Sequence, residues 1–241
     1  MIALIRPLPA LDASVDHWRR QGLECAGIAV QNIVPQQSVA AKVQAILVER
    51  QDTQAIIIVT SQYACSALIE AVSQGFTIPK TWRIVAIGPK TLTALSKLKE
   101  PVQVPQQHDS EGVLALADLQ NVAGRPVIIL KGEQGRDALA TTLAAKGANV
   151  VECEVYRRAL LTLSERDWQQ LKNSDTIVST NGEALLALMN DPKAQSLRSK
   201  KWVVPSKRIA EQAQQFGISS IQISAGASDS ALIQCIHQFM E

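Results

Sequence analysis

Histidine, cysteine and aromatic residues are scarce in this chain, with three His, four Cys and an aromatic share of 4% among 241 residues. His17, His108 and His237 lie on distant segments, which argues against a multi-histidine metal site, and no metal is expected. Cys25, Cys65, Cys153 and Cys235 form no C-x-x-C pair, so neither a zinc knuckle nor a redox dithiol is suggested. Buried reduced thiols are the expectation. Charge of one sign is also in short supply. The 24 Lys and Arg against 22 Asp and Glu leave +2, too little for a non-specific nucleic-acid binder that must neutralise many phosphates. Apolar runs such as Ala55–Val59 fall far short of the ~20 residues of a membrane-spanning helix. Arg6, Pro7 and Pro9 follow the first apolar residues, the wrong order for a signal peptide, so a cytosolic chain with no membrane partner is expected.

The common catalytic signatures are missing as well. There is no G-x-G-x-x-G, no G-x-x-x-x-G-K-[ST], no G-x-S-x-G and no H-E-x-x-H. Gly132-Glu133-Gln134-Gly135 comes nearest to a phosphate loop but lacks the Lys-Ser/Thr ending.

What is present is an ordinary globular composition, 46% hydrophobic and 19% charged, at a length that allows one large domain or two modest ones. Short apolar runs recur at Ile2–Ile5, Ala55–Val59, Ile84–Ile87, Val127–Leu130, Thr176–Val178 and Trp202–Val204. Segments with apolar residues three and four apart follow them, as in Ala64, Leu68 and Val72 or Leu185, Leu186 and Met189. That alternation predicts an α/β fold with parallel sheets. Gly22 and Gly147 follow helix-like stretches ending in basic residues, as expected at helix C-termini, and each leads into another strand.

The glycines also expose an internal repeat. Ile2–Arg6 overlays Val127–Lys131 at an offset of 125, which places Gly22 on Gly147. At an offset of 119, Val59-Thr60-Ser61-Gln62 falls on Val178-Ser179-Thr180-Asn181, Ile84-Val85 on Val203-Val204 and Ser110 on Asp229. Two α/β halves of ~120 residues are implied, a period too long for a solenoid.

The predicted strand-to-helix junctions carry hydroxyl, amide, glycine and basic residues. They are Arg6-Pro7, Thr60-Ser61-Gln62, Gly88-Pro89-Lys90-Thr91, His108-Asp109-Ser110, Lys131-Gly132, Ser179-Thr180-Asn181, Ser206-Lys207-Arg208 and Gly226–Asp229. Ligands of open α/β sheets bind at this edge, where helix N-termini offer unpaired N–H groups and partial positive charge. The plain alternative is that the Ser and Thr residues only cap helices. Capping does not require Arg6, Lys90, Lys131, Lys207 and Arg208 to share the edge, and a ligand with many carboxylates would use them.

Taken in order, Ile5-Arg6-Pro7, Val59-Thr60-Ser61, Ile87–Thr91, Ser110-Glu111-Gly112, Ile129–Gly132 with Gly135, Arg136 and Leu139, Lys146–Val150, Glu154–Arg158 and Ser206–Ala210 make a pattern. It resembles the uroporphyrinogen-III synthase family over nearly the whole chain. The resemblance implies two parallel-sheet α/β domains joined by a two-strand connection and facing across a cleft. Residues 1–34 plus 160–241 would form the first domain and 38–155 the second, with crossings near 35–37 and 156–159. It further implies a cofactor-free lyase of tetrapyrrole synthesis acting on hydroxymethylbilane as a monomer, with transient contact to the preceding enzyme of the pathway an open question. The substrate carries eight carboxylates and loses water as its last pyrrole ring is inverted through a spiro intermediate. Tyr156 matches the family's tyrosine and is the candidate general acid. Arg6, Thr60, Ser61, Gly88, Lys90, Thr91, Lys131, Gly132, Ser179, Thr180, Asn181, Ser206 and Lys207 are the candidate substrate contacts. A two-domain protein that binds a small anionic ligand without chemistry is the alternative. A nucleotide or sugar-phosphate enzyme is weakened by the missing glycine fingerprints.

Overall fold

The computed structural model describes residues 1–133 and 137–240, so Gly135 and Arg136 of the quoted pattern, and Gln134 of the nearest phosphate-loop candidate, lie outside the described residues. The chain divides into two compact units, Met1–Ile33 with Ala159–Glu241, and Val34–Arg158.

The first unit opens with β1 (Ile2–Ile5), α1 (Leu11–Arg20) and β2 (Cys25–Ile28). Gly22 follows α1 with φ +79°, the left-handed turn that ends a helix without a Cβ clash. The strand β3 (Gln31–Pro35) then carries the chain into the second unit. There α2 (Val39–Glu49), β4 (Ile56–Val59), α3 (Cys65–Ser73), β5 (Arg83–Ala86), α4 (Pro89–Leu95), β6 (Val102–Gln103), α5 (Ser110–Leu114), β7 (Pro126–Gly132) and α6 (Ala138–Ala145) follow. Gly147, at φ +82°, closes α6 as Gly22 closes α1. The twelve-residue β8 (Asn149–Leu160) returns the chain to the first unit. That unit is completed by α7 (Glu165–Asn173), β9 (Thr176–Ser179), α8 (Gly182–Met189), β10 (Lys201–Val204), α9 (Lys207–Gln215), β11 (Ile221–Ile223) and α10 (Asp229–Met240).

Each apolar run of the sequence is a strand because each is covered on both faces. In β1, Ile2 and Leu4 pack with Leu11, Val15 and Trp18 of α1 and Leu232 and Ile236 of α10. Ala3 and Ile5 pack on the other side with Trp168 of α7, Leu185 and Leu188 of α8 and Ile209 of α9. The period of two sends alternate side chains to opposite faces, so a doubly covered strand reads as continuously apolar. In the second unit Ile56, Ile58, Val127 and Ile129 meet Val113 of α5 and Leu139 and Leu143 of α6, while Ile57 and Val59 are also buried.

The first sheet has the order β11-β10-β9-β1-β2, and the second β3-β8-β7-β4-β5-β6. The strand pairs that carry a full register in both sheets are parallel. In each sheet the winding reverses between two central neighbours, β1 and β9 in the first and β4 and β7 in the second. Such a reversal is the topological switch point at which the helices part and leave the strand ends accessible.

The registers refine the repeat. Ile5 pairs with Ser179 and Leu130 with Val59, so Thr60 corresponds to Thr180 rather than to Ser179. Likewise Ile84-Val85 corresponds to Trp202-Val203, one residue before the pair expected from the overlay. The stretch between these two strands is two residues shorter in the first unit than in the second, so an ungapped overlay at an offset of 119 is wrong by one residue in opposite directions at its two ends.

Arg6, expected as a ligand contact, is buried at 5% exposure at the end of β1. Its guanidinium lies 3.2 Å from the Asp229 carboxylate and donates to the Ala227 carbonyl at 2.9 Å. Asp229 also accepts from Trp18 Nε1 at 3.0 Å and Ser14 Oγ at 3.2 Å, so one carboxylate ties β1 and α1 to the start of α10. Removing that carboxylate takes the counter-ion from a buried guanidinium that still donates to the Ala227 carbonyl, whereas removing Arg6 leaves Asp229 with two neutral donors. Asp229→Ala is therefore expected to cost about 3 kcal/mol in chemical denaturation, and Arg6→Met measurably less. An equal or reversed order would contradict the clamp.

Candidate functional site

The site forms in the second unit where β4, β7 and β8 end. Thr60, the first residue after β4, donates both its N–H and its Oγ1 hydroxyl to the Leu130 carbonyl of β7, each at 3.1 Å. Thr180, its counterpart in the first unit, makes the same pair of bonds to Ile5 of β1, at 3.2 and 3.1 Å. A threonine thus ties the strand ends at each switch point, leaving neither hydroxyl hydrogen for a ligand.

Beyond Thr60 lies a cavity of about 280 Å³ lined by Thr60, Ile87, His108, Asp109, Ser110, Ile129, Lys131, Gly132, Leu139, Ala140, Glu152, Tyr156 and Arg158. Apolar walls with a few converging polar groups are the usual makeup of a small-ligand site. Four of the expected residues, Thr60, Lys131, Gly132 and Tyr156, meet here.

Tyr156 is buried at a break in strand geometry. Along β8, Cys153 is buried and Glu154 exposed, but Val155 and Tyr156 are buried in succession. The register with β7 shifts at the same place, from Lys131 opposite Glu154 to Gly132 opposite Tyr156. One extra residue in β8 resets the alternation and turns Tyr156 inward, the known effect of a β-bulge beside a functional site. The ring lies against the Gly132 backbone so closely that a Cβ there would be 2.7–2.9 Å from ring and hydroxyl atoms of Tyr156. Tyr63 packs edge-on at 5.8 Å, and the Arg158 guanidinium lies 5.7 Å from the ring centroid and 3.5 Å from the phenol oxygen.

Lys131 is buried in the cavity wall, with Nζ 2.7 Å from Asp137 Oδ1 and 2.5 Å from Glu152 Oε1. Burial alone would lower the ammonium's pKa, but the hydrogen bonds and charges of the two carboxylates outweigh it and hold the group above the ordinary lysine value. Lys131 is therefore a cation whose charge is already matched.

The other expected residues are placed as follows. Ser61 caps a short 3-10 turn by accepting from Tyr63 N at 3.2 Å. Asn181 caps α8 by accepting from Ala184 N at 2.7 Å, and Ser206 caps α9 by accepting from Ile209 N at 3.4 Å. Ser179 is fully buried and donates to the Asn181 carbonyl at 3.0 Å. Gly88 precedes α4, where Lys90 is exposed and Thr91 buried; Lys207 is exposed in the first turn of α9. None of these lines the cavity, and the capping alternative describes Ser61, Asn181 and Ser206 as they stand. Glu152, Asp137 and Arg158 were not among the expected contacts. Glu152 carried a signal, since it and Glu154 are the two carboxylates of an otherwise apolar stretch of β8, but only the fold brings it to Lys131.

A family model described as uroporphyrinogen-III synthase HemD matches residues 12–234. The uroporphyrinogen-III synthase of Salmonella typhimurium is 28% identical over 98% of this chain and 99% of its own length. That of Escherichia coli is 32% identical over 63% of this chain and 65% of its own. Among solved structures, a mutant uroporphyrinogen III synthase from Thermus thermophilus superposes with a TM-score of 0.67 at 15% identity, covering 100% of this chain and 97% of that one. The uroporphyrinogen-III synthetase of Helicobacter pylori gives 0.63 at 14% identity, over 99% and 100%. At these identities the superpositions establish the α/β fold.

The contact between Gly132 and Tyr156 makes a prediction. Gly132→Ala forces the ring or the strand end to move and is expected to destabilise the second unit by about 1–3 kcal/mol. Combined with Tyr156→Ala, which empties the space, the penalty should be smaller than the sum of the single effects by about 1 kcal/mol. Additive unfolding free energies would show that the ring does not set the requirement for glycine.

Proposed function

Because the chain belongs to the uroporphyrinogen-III synthase family, an enzyme family of tetrapyrrole biosynthesis, we propose that it cyclises hydroxymethylbilane to uroporphyrinogen III as a lyase that needs no cofactor. The observation that carries this reading is the convergence of a phenol hydroxyl, a buried ammonium and a guanidinium on one cavity at a switch point. A cavity of about 280 Å³ suits one carboxylate-bearing ring or arm of the substrate rather than all of it.

In the proposed reaction the substrate supplies its own electrons. The nitrogen lone pair of the hydroxymethyl-bearing pyrrole expels the hydroxyl, which leaves as water after taking a proton, and a cationic azafulvene results. The substituted carbon of the terminal ring attacks its exocyclic carbon and forms the spiro intermediate. The spiro centre fragments and recloses with that ring inverted, and loss of the ring proton restores the pyrrole. Left to itself the substrate closes to the uninverted isomer, so the protein's contribution is to hold the two ends in the geometry of the spiro route. Catalysis of this kind is mainly orientation.

Tyr156 is the proton donor in this scheme. Burial against Gly132 and Tyr63 fixes its ring, and the Arg158 guanidinium lies 3.5 Å from its oxygen, which holds the hydroxyl in place within the cavity. Lys131 and Arg158 supply positive charge for the carboxylate of the ring in the cavity. Ser61, Gly88, Lys90, Thr91, Asn181, Ser206 and Lys207 are proposed to act at the strand-end edges, through backbone amides where their side chains already serve as caps, while Ser179 and Thr180, whose hydroxyls donate to backbone carbonyls, are proposed to shape that edge rather than to donate to the ligand. Hydrogen bonds to charged groups contribute about 1.5–3 kcal/mol each, so several together can orient the substrate without an indispensable one. Arg6 is proposed as structural, since its guanidinium is held by Asp229.

The purified protein, given freshly made hydroxymethylbilane, should yield the inverted isomer faster than spontaneous closure, as read by separating the oxidised porphyrins. Only the uninverted isomer at the spontaneous rate would overturn the assignment. Tyr156→Phe should slow turnover by about 10²-fold with little change in melting temperature. An unchanged rate would remove the acid role.

A further inference from the structure

We propose that the Lys131 ammonium is a carboxylate-exchange subsite, in which Glu152 remains as the resident partner and Asp137 occupies the place that a carboxylate of the ligand takes. This rests on the reading of the cavity as the ligand site and specifies how that site is held before the ligand arrives.

The two carboxylates on Lys131 are unlike each other. The lysine side chain is 5% exposed, that of Glu152 34% and that of Asp137 77%. Glu152 lies within the β7–β8 pairing and lines the cavity. Asp137 stands at the start of α6 and makes no capping bond to that helix. Releasing Glu152 would leave a strand carboxylate beside the apolar wall, whereas releasing Asp137 returns an exposed carboxylate to water. An ammonium with two carboxylates carries a net charge of −1, which repels an anionic ligand. Exchange of one carboxylate for another keeps the charge constant and spares the site from burying an extra anion. Nζ has three donors, and the bonds to Asp137 and Glu152 use two. Asp137 therefore acts as a built-in competitor that keeps the buried ammonium satisfied while the cavity is empty, and it sets the threshold a ligand carboxylate must exceed.

The consequence is that removing a charge next to a basic site tightens anion binding through that site. The test is equilibrium binding of two stable probes to the full chain, uroporphyrin and the pyrrole-free 1,3,5-benzenetricarboxylate. Asp137→Asn is expected to tighten both by about two- to fivefold, the scale of an exposed ion pair, and the gain should be absent in a Lys131→Met background. Unchanged or weaker binding in Asp137→Asn overturns the proposal, as does a gain that persists without Lys131 or a wild-type chain that binds neither probe. The outcome is separable from the assigned reaction, since a chain that produced only the uninverted isomer could still show the exchange with the tricarboxylate.

Discussion

Where a parallel strand ends, its lateral carbonyls and amides run out of strand partners, and at a switch point no crossing connection covers them. In each unit of this protein that opening is held by the same device, a threonine whose N–H and hydroxyl both donate to one carbonyl of the neighbouring strand, Thr60 to Leu130 and Thr180 to Ile5. With the strand ends tied, the residues just beyond them are set by covalent geometry. Lys131, Gly132 and Tyr156 come to the cavity because β7 and β8 are pinned there, and the bulge in β8 decides which way the tyrosine faces.

The two basic residues at equivalent ends of β1 and β7 show how one scaffold position serves two purposes. Arg6 and Lys131 are both buried and both matched by carboxylate. Around Arg6 the matching is closed: Asp229 receives the guanidinium, Trp18 and Ser14, and the set joins three elements of the first unit's core. Around Lys131 it is open, because one partner is mostly exposed and the ammonium lines a cavity. A planar guanidinium with several donors suits the closed arrangement, and a compact ammonium with three rotatable donors suits an exchangeable one.

Much of the fold was legible in the chain. Runs such as Ile56–Val59 read as strands because burial on both faces removes polar residues from both phases of the alternation, and Gly22 and Gly147 read as helix ends because the left-handed turn favours glycine over residues with a Cβ. The strand-end edges were legible too, since the residues that end strands and begin helices are local. The register of the repeat was not, because the connection between equivalent strands differs by two residues between halves. Nor was the inward turn of Tyr156: strict alternation through Cys153 and Val155 would face it the other way, and the bulge depends on β7 being its partner. The hydroxyls were ambiguous for a related reason, as a Ser or Thr at a strand end has the same sequence signature whether it caps a helix, ties two strands or meets a ligand.

The sequence by itself determined the class of fold, the residues at the strand-end edges and the family pattern, because these follow from periodicity, turn chemistry and the order of short motifs along the chain. Tertiary structure alone decided which basic residue is sealed and which is open, and what stands beside it. Asp229 lies 223 residues from Arg6 and Glu152 21 from Lys131, separations across which only the pairing of strands and the packing of helices set the distance between two charges.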